Sequence, residues 1–358
     1  MLQSLRLRDF TAFPDADLRF GRHLNVLVGE NGLGKTHLLK VAYSILAVSA
    51  RGAKESGGAV PTKGYLQSAI ATKLRGVFKP DELGRLTRRR TGRTRAEVHC
   101  SFDHAACNFG FSFNGASKSE VTIDLAPAAW IEEVPVYLPT RELLTIYPGF
   151  VSLFETTHLP FEETWRDTAV LLGAPLARGP RESKIRKLLE PLEAAMEGAV
   201  ELDAAGRFYL ETATGRFEMH LVAEGLRKLA MIARLVANGS LLDKGSLFWD
   251  EPEANLNPKL TRLVARTIID ISQSGIQVFI ATHSLFLLRE LHILQQQPSH
   301  PGVDARFFGL RQAQTGVYVD AGATVDDIGD ITALNEELTQ SERYLEAEER
   351  LASPGPAA

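Results

Sequence analysis

Hydrophobic residues alternate with polar ones in two parts of the N-terminal third, which predicts antiparallel strands. The first alternation lies within residues 1–50, and the second covers residues 96–124. Between them, Leu24 to Val28 form a continuous apolar run typical of a buried strand, and the pattern predicts a helix from His37. Residues 52–66 are rich in Gly, Ser, Ala and Lys and predict an exposed loop before a helix over 67–79.

The rest of the chain alternates between helical and strand patterns. Residues 134–139 predict a strand, and residues 150–200 are helical with a break at 179–180. An amphipathic helix is predicted over 218–239. Short apolar runs at 247–249 and 278–280 predict buried strands, followed by helices over 258–273 and 285–296. Residues 307–310 and 317–319 predict two closing strands, and acidic residues dominate 326–350.

The most informative motif follows the apolar run at 24–28. Residues 29–36 read GENGLGKT, which matches the G-x-x-x-x-G-K-[ST] phosphate-binding loop in its strand–loop–helix context. Glycines allow the backbone to wrap an anion, while the helix N-terminus directs N–H groups at it. The expected nucleotide-binding residues of this segment are Gly29, Asn31, Gly32, Gly34, Lys35, Thr36 and His37. Lys35 should contact the β- and γ-phosphates, and the Thr36 hydroxyl should bind Mg²⁺.

Two later strands end in residues that suit the chemistry of ATP hydrolysis. Asp250 ends the first, where its carboxylate is expected to bind Mg²⁺, and Glu251 is expected to activate the attacking water. His283 follows the next strand and is expected to hydrogen-bond the γ-phosphate. The predicted catalytic residues are therefore Glu251, His283 and Lys35, and the predicted metal ligands are Thr36 and Asp250.

This order of motifs resembles the ATP-binding-cassette (ABC) ATPases, including the RecF, SMC and OLD-like branches of the AAA ATPase group. The resemblance implies an α/β P-loop NTPase fold with a mixed central sheet, an N-terminal antiparallel β-subdomain and an inserted helical lobe. The implied divisions are 1–140 and 221–325 for the head, 141–220 for the helical lobe, and 326–358 for an acidic tail. Residues 9–13 are similar to the opening motif of such heads, with Thr11 where an arginine is usual.

The resemblance also implies that two heads close around ATP. The segment corresponding to the signature motif is residues 222–228, in which Gly225 remains available to bind nucleotide, whereas Ala223 and Leu226 replace the usual serine and glutamine. The sequence DEPEANLNP from Asp250 resembles OLD-like and stand-alone bacterial ATPases found with anti-phage effectors. Asn255 and Asn257 are then expected near the dimer seam.

Several features of related proteins are missing from the sequence. A clear Q-loop glutamine is absent. At its place, Arg141 or Glu142 is expected to couple ATP to the lobe, unless both are surface charges at a helix start. No long heptad array separates Thr36 from Gly225, in contrast to SMC-type heads, and the residues after His283 do not supply the acidic cluster of a TOPRIM nuclease.

Composition changes this interpretation only a little. The chain has 358 residues, 44% hydrophobic residues and a net charge of −4, so nucleic-acid binding requires a local patch. Residues 73–95 are rich in Lys and Arg and form such a candidate patch for DNA, or else a solvated or protein-docking surface. Two cysteines, no signal peptide and no apolar run of about 18 residues predict a cytoplasmic protein without a membrane span. The His and Cys residues at 99–107 do not fit a zinc pattern.

The sequence thus predicts an ATPase that uses ATP and Mg²⁺, self-associates around ATP, and controls a separately encoded partner. By resemblance, that partner is an effector in anti-phage defence. The first alternative is a RecF-like ATPase in DNA repair that binds DNA through residues 73–95. The second is a regulatory module that binds ATP without turnover.

Overall fold

Six strands form the central sheet within the residues described by the computed structural model, in the order β14-β13-β3-β12-β11-β7. The described residues are 1–90, 92, 94–157, 159–177, 182–242, 245–298, 302–329 and 332–352. All neighbours pair in parallel except β13 and β14, which pair antiparallel. The strands are β3 Leu24–Val28, β7 Val136–Leu138, β11 Ser246–Asp250, β12 Gln277–Thr282, β13 Ala305–Ala313 and β14 Gly316–Gly322.

Side chains of this sheet alternate between two hydrophobic cores, because successive residues of a strand point to opposite faces. On one face, Val26, Trp249 and Ile280 pack with α6 Glu224–Ala237, α7 Pro258–Gln273 and α8 Leu285–Gln295. On the other face, Phe248 and Phe279 pack with α1 Lys35–Glu55 and α2 Lys63–Phe78. The sheet is therefore covered on both sides, which explains the continuous apolar runs of its parallel strands.

A second, antiparallel sheet lies against α1 and has the order β2-β1-β4-β5-β6. Its strands are β1 Leu2–Phe10, β2 Phe13–Arg19, β4 Arg95–Phe102, β5 Phe109–Asn114 and β6 Thr122–Leu125. This is the antiparallel β-subdomain predicted from the alternation in residues 1–50 and 96–124. The exposed loop predicted over 52–66 is shorter than expected, because α1 continues to Glu55 and α2 begins at Lys63.

The segment predicted as a helical lobe is only partly helical. It contains α3 Phe150–Thr156, α4 Glu163–Leu172 and α5 Glu182–Met196, and the predicted break at 179–180 lies outside the described residues. A three-stranded antiparallel sheet follows, made of β8 Gly198–Leu202, β9 Phe208–Thr212 and β10 Gly215–Glu218. The helical prediction to residue 200 was therefore wrong at its end. Glu197 adopts a positive φ of 52° immediately after α5, and β8 alternates between half-buried and exposed side chains.

The predicted acidic tail contains a long helix, α9 Thr332–Ala352, while residues 353–358 lie outside the described residues. Among the described helices, none has both the length and the apolar character needed to cross a bilayer.

Candidate functional site

The loop between β3 and α1 has a backbone that requires glycine at three positions. Gly29, Gly32 and Gly34 have φ values of 157°, 86° and 91°. A Cβ on Gly29 would lie 2.9 Å from the Leu310 carbonyl oxygen, and one on Gly34 would lie 3.0 Å from the Phe13 ring. The loop thus packs closely against β13 at Gly29 and against the antiparallel sheet at Gly34. Its backbone and the start of α1 thus form a concave turn suited to phosphate.

Lys35 is buried inside this turn. Its Nζ donates hydrogen bonds to the carbonyl oxygens of Gly29, at 2.7 Å, and Glu30, at 2.9 Å, and the residue is only 5% exposed. Burial lowers the pKa of the Lys35 ammonium, an effect opposed by the nearby carboxylates of Glu251 and Asp250. An ammonium held by two carbonyls at the phosphate loop can exchange one of them for a phosphate oxygen.

The two predicted metal ligands meet directly. The Thr36 hydroxyl lies 2.9 Å from Oδ2 and 3.1 Å from Oδ1 of Asp250, which ends β11. The Tyr137 hydroxyl is 3.5 Å from the same carboxylate. Burial raises the pKa of the Asp250 carboxyl to about 6. A hydroxyl and a carboxylate in contact provide the oxygen ligands that Mg²⁺ prefers, so these residues fit the ion.

We expect Asp250→Asn to separate stability from metal binding. The pKa of Asp250 in the folded protein, about 6, exceeds the value of 3.8 for an unburied aspartate, so the fold loses stability as pH rises through 6. Near pH 7.5 the substitution should therefore raise the free energy of unfolding of the ligand-free protein, on the order of 2 kcal/mol. Mg²⁺-dependent ATP hydrolysis should fall strongly. Thermal melting of the ligand-free protein measures the change in stability, and phosphate release with ATP–Mg²⁺ measures hydrolysis. An unchanged or lower melting temperature of the ligand-free variant contradicts the burial penalty.

Glu251 and His283 lie side by side at the ends of β11 and β12. Glu251 Oε1 is 3.3 Å from His283 Nδ1, which has no well-aligned hydrogen bond. Glu251 adopts a positive φ of 47°, and its N–H donates to the Ala281 carbonyl of β12 at 2.9 Å. Next to them, Glu253 accepts a hydrogen bond from the Thr282 hydroxyl at 2.6 Å. The parallel pairing of β11 with β12 and of β12 with β3 thus brings Glu251 and His283 to the edge that holds the phosphate loop.

Gly225 lies in the first turn of α6, near the segment that follows Glu251. A Cβ on Gly225 would lie 3.1 Å from the Asn255 carbonyl oxygen. Asn255 donates a side-chain hydrogen bond to Glu224, whereas Asn257 accepts one from the Leu260 N–H and caps α7. Gly225 is thus packed against the turn that follows Glu251.

His37 lines an open pocket beside the phosphate loop, whereas Asn31 is an exposed residue of the loop itself. The pocket has a volume of about 430 Å³ and includes Thr11, Arg88 and Arg89. Burial, together with the Lys40 ammonium, lowers the pKa of His37 to about 4, so the imidazole is neutral at pH 7. His37 Nδ1 and Thr11 Oγ1 are both buried without a hydrogen-bond partner. The sequence singled out both residues but not the pocket that they share.

Sequence reasoning missed the contacts of two charged residues on α6. Arg227 Nε lies 2.9 Å from Oε1 of Glu142, a residue predicted to couple ATP to the lobe, whereas Arg141 is exposed. Lys228 is 2% exposed and donates to the carbonyl oxygens of Glu251 and Ala254. A lysine on the apolar side of an amphipathic helix was the available signal for Lys228, because such a charge needs partners inside the protein.

The predicted DNA patch over 73–95 is not a continuous row of unpaired cations. Lys73 pairs with Glu163 and Asp167, Arg90 with Asp9, and Arg95 with Asp124. Arg88 donates to the Thr315 carbonyl, and Arg93 lies outside the described residues. Much of this positive charge is therefore paired with groups of the protein itself. Across the described residues, no group of three or more His, Cys, Asp or Glu side chains is arranged to hold a metal ion.

Comparisons with solved structures define the fold. The SMC head bound to the C-winged helix domain of ScpA is 12% identical, with a TM-score of 0.56, and the match covers 91% of this chain and 98% of that chain. The Smc head domain with an extended coiled coil, bound to the C-terminal domain of ScpA and derived from Pyrococcus furiosus, is 12% identical, with a TM-score of 0.51. That match covers 97% of this chain and 99% of that one. The chain has a P-loop ATPase fold that resembles the SMC head.

This head fold confirms the fold class predicted from the sequence. A family model described as "AAA domain, putative AbiEii toxin, Type IV TA system" matches residues 151–289, which include Asp250, Glu251 and His283 but not the phosphate loop. The resemblance stated from the sequence thus holds for the SMC-like head and for the AAA-domain segment. Its closer relation to OLD-like ATPases of anti-phage defence remains a prediction.

Proposed function

We propose that this chain is an ATP-hydrolysing switch that self-associates around ATP–Mg²⁺ and controls a separate protein. One observation carries the proposal: the phosphate loop, the Thr36–Asp250 pair, Glu251 and His283 meet at one edge of the parallel strands β3, β12 and β11. Loop, metal ligands, carboxylate base and imidazole are the parts that phosphoryl transfer to water requires.

The chemistry assigns one step to each group. Lys35 and the loop N–H groups hold the β- and γ-phosphates. Thr36 and Asp250 would hold Mg²⁺, which would supply charge that stabilises the transition state. Glu251 accepts a proton from water as the water oxygen attacks the γ-phosphorus. The bond from that phosphorus to the β–γ bridging oxygen breaks, giving ADP and phosphate. His283 hydrogen-bonds the γ-phosphate and therefore distinguishes ATP from ADP.

The pocket beside the loop supports a nucleoside triphosphate rather than a simple anion as the substrate. Its position next to His37, in the first turn of α1, suits the ribose or base of a nucleotide whose phosphates occupy the loop.

The remaining parts of the proposal concern partners. Gly225 lies beside the exposed Asn255, and we infer that this surface contacts a second copy that closes around ATP. Two similar SMC heads were solved with ScpA bound, which favours control of a separate protein. The family description, which names a toxin and a TA system, supports a role in defence, and we infer that the effector controlled by this chain is a separate protein. The paired cations in 73–95 make RecF-like DNA binding the weaker alternative. In this proposal, residues 1–140 and 221–325 form the ATPase head, residues 141–220 the lobe and residues 326–358 the acidic tail.

The test is the molar mass of the wild type and of Glu251→Gln, with and without ATP–Mg²⁺, by size exclusion with light scattering. Glu251→Gln should trap ATP, so we expect a dimer or larger assembly that forms or persists only with ATP–Mg²⁺. A monomer under all four conditions contradicts self-association around ATP, and it would leave ATP binding without assembly as the function. Co-purification with ATP-trapped protein then provides the route to the partner.

A further inference from the structure

Lys228 makes a contact that the chemistry above does not use. It lies on α6, is 2% exposed, and its Nζ donates to the carbonyl oxygen of Glu251 at 2.8 Å and to that of Ala254 at 3.2 Å. The ammonium therefore binds the backbone of the turn that carries the proposed base, not the Glu251 carboxylate. Burying a charged group is unfavourable unless partners stabilise it, and here the two carbonyl oxygens are those partners.

The turn held by Lys228 has an unusual backbone. Glu251 and Asn255, which bracket it, have φ values of 47° and 63°, a region that side chains other than glycine enter only at a cost. The Ala254 N–H donates to the Glu251 carbonyl at 3.1 Å, so that oxygen accepts from both the turn and the lysine. Lys228 thus stabilises the conformation that directs the Glu251 side chain toward His283.

The same helix is connected to two other segments of the site. Near its start, Glu224 accepts a hydrogen bond from Asn255 at 2.8 Å, and Arg227 pairs with Glu142 at 2.9 Å. Glu142 in turn accepts hydrogen bonds from the backbone N–H groups of Leu144 and Thr145 beyond β7. A displacement of α6 would therefore move the Glu251 turn and the segment after β7 together.

The Lys228 ammonium interacts electrostatically with the carboxylates of Glu253, Glu251, Asp250 and Glu224. Burial lowers the pKa of Lys228 to about 8, and these carboxylates limit the decrease. The side chain therefore still carries its proton at pH 7 and keeps the N–H groups that both carbonyl contacts require.

We propose that Lys228 is a positioning residue that holds Glu251 where it can activate the water that attacks ATP. Through Lys228, the rate of hydrolysis then depends on the position of α6. This inference rests on the proposed ATPase function, in which Glu251 is the base. Because Lys228 acts on the turn and not on nucleotide, its loss should affect turnover and leave ATP binding intact.

The experiment compares Lys228→Met with Arg234→Met, a control on the same helix. Arg234 is also buried and donates to backbone carbonyls, those of Leu172 and Ala174, but on the side of the lobe away from Glu251. Both variants remove one buried cation and its hydrogen bonds to two backbone carbonyls, so their effects on thermal stability should be similar. We expect Lys228→Met to lower kcat about 10- to 100-fold with little change in KM for ATP, and Arg234→Met to keep kcat near the wild-type value.

A third variant, Lys228→Arg, keeps a donor at this position and should recover part of the lost kcat. The proposal is overturned if the wild type hydrolyses ATP and Lys228→Met has the same kcat, or if Arg234→Met loses as much. It is also overturned if the loss appears in KM rather than kcat. If the wild type and Glu251→Gln are both inactive while ATP binds, the proposed ATP hydrolysis itself is wrong. This outcome differs from failure of the Lys228 proposal, in which the wild type is active and the variants do not behave as expected.

Discussion

Glu251→Gln is expected to lower kcat for ATP hydrolysis about 100- to 1000-fold while ATP–Mg²⁺ remains bound, because a neutral amide cannot accept the proton of the attacking water. The substitution preserves shape, and the Glu251 N–H that binds the Ala281 carbonyl is unaffected. The positive φ at Glu251 is imposed by the turn, so glutamine should occupy the same position. Phosphate release under saturating ATP–Mg²⁺ measures the effect, and binding of a fluorescent ATP analogue checks that the site is intact.

The matched control is Glu30→Gln, which removes the same charge from an exposed position in the phosphate loop. Glu30 contacts Lys35 through its backbone carbonyl, which glutamine keeps, so kcat should stay close to that of the wild type. If Glu251→Gln hydrolyses ATP as fast as the wild type, Glu251 is not the base, and a carboxylate such as Glu253 must take its place.

The central sheet could be predicted from the sequence because its signals are local. The runs at 24–28, 247–249 and 278–280 are continuous and apolar, as expected for parallel strands covered on both faces, and they agree with β3, β11 and β12. The helix predicted over 258–273 agrees with α7, where Asn257 caps the start and Pro258 follows in the first turn. Patterns of this kind determine an element within its own sequence window.

The sheet β8-β9-β10 could not be anticipated in the same way. Its strands have four or five residues, and only β9 carries a run of buried side chains, from Phe208 to Leu210. The 3.6-residue pattern of α5 continues up to Met196, so the sequence does not show where the helix gives way to β8. That transition occurs at Glu197, which has a positive φ. Residues 52–66 show the opposite error, because both ends of this segment are helical. Ala53, Lys54 and Glu55 are good helix formers that continue α1, and the Thr62 side chain caps the start of α2.

The candidate site also combines residues that local motifs predict with contacts that only the folded structure shows. Motif spacing singled out Lys35 and Thr36 after the glycine loop that follows β3, and Asp250, Glu251 and His283 at the ends of β11 and β12. The Lys228 contact, the Arg227–Glu142 pair and the pocket of Thr11 and His37 join residues far apart in sequence. Such contacts arise from tertiary packing, and a single sequence carries no pattern for them. The basic segment 73–95 shows the converse, because the sequence displays its charges but not their partners.

Lys35→Met is expected to weaken ATP–Mg²⁺ binding by about 100-fold or more, since the variant loses a charge-assisted contact to the phosphates inside a buried turn. Stability without nucleotide should change little. The carbonyls of Gly29 and Glu30 lose their donor, but the methionine also removes an ammonium whose burial is unfavourable, as its lowered pKa indicates. Calorimetric titration with ATP–Mg²⁺ measures the affinity, and thermal melting tests whether the ligand-free fold is preserved.

Lys40→Met is the control, since Lys40 is a buried lysine of the same helix, 7% exposed, that pairs with Glu162. Its Nζ makes no hydrogen bond to the phosphate loop within the described residues, so ATP affinity should remain near the wild-type value while stability falls. Loss of binding in both variants would show that disruption of α1, and not removal of the Lys35 ammonium, is responsible. Wild-type affinity in Lys35→Met would mean that this loop does not hold the phosphates, and the assignment of the nucleotide site would be wrong.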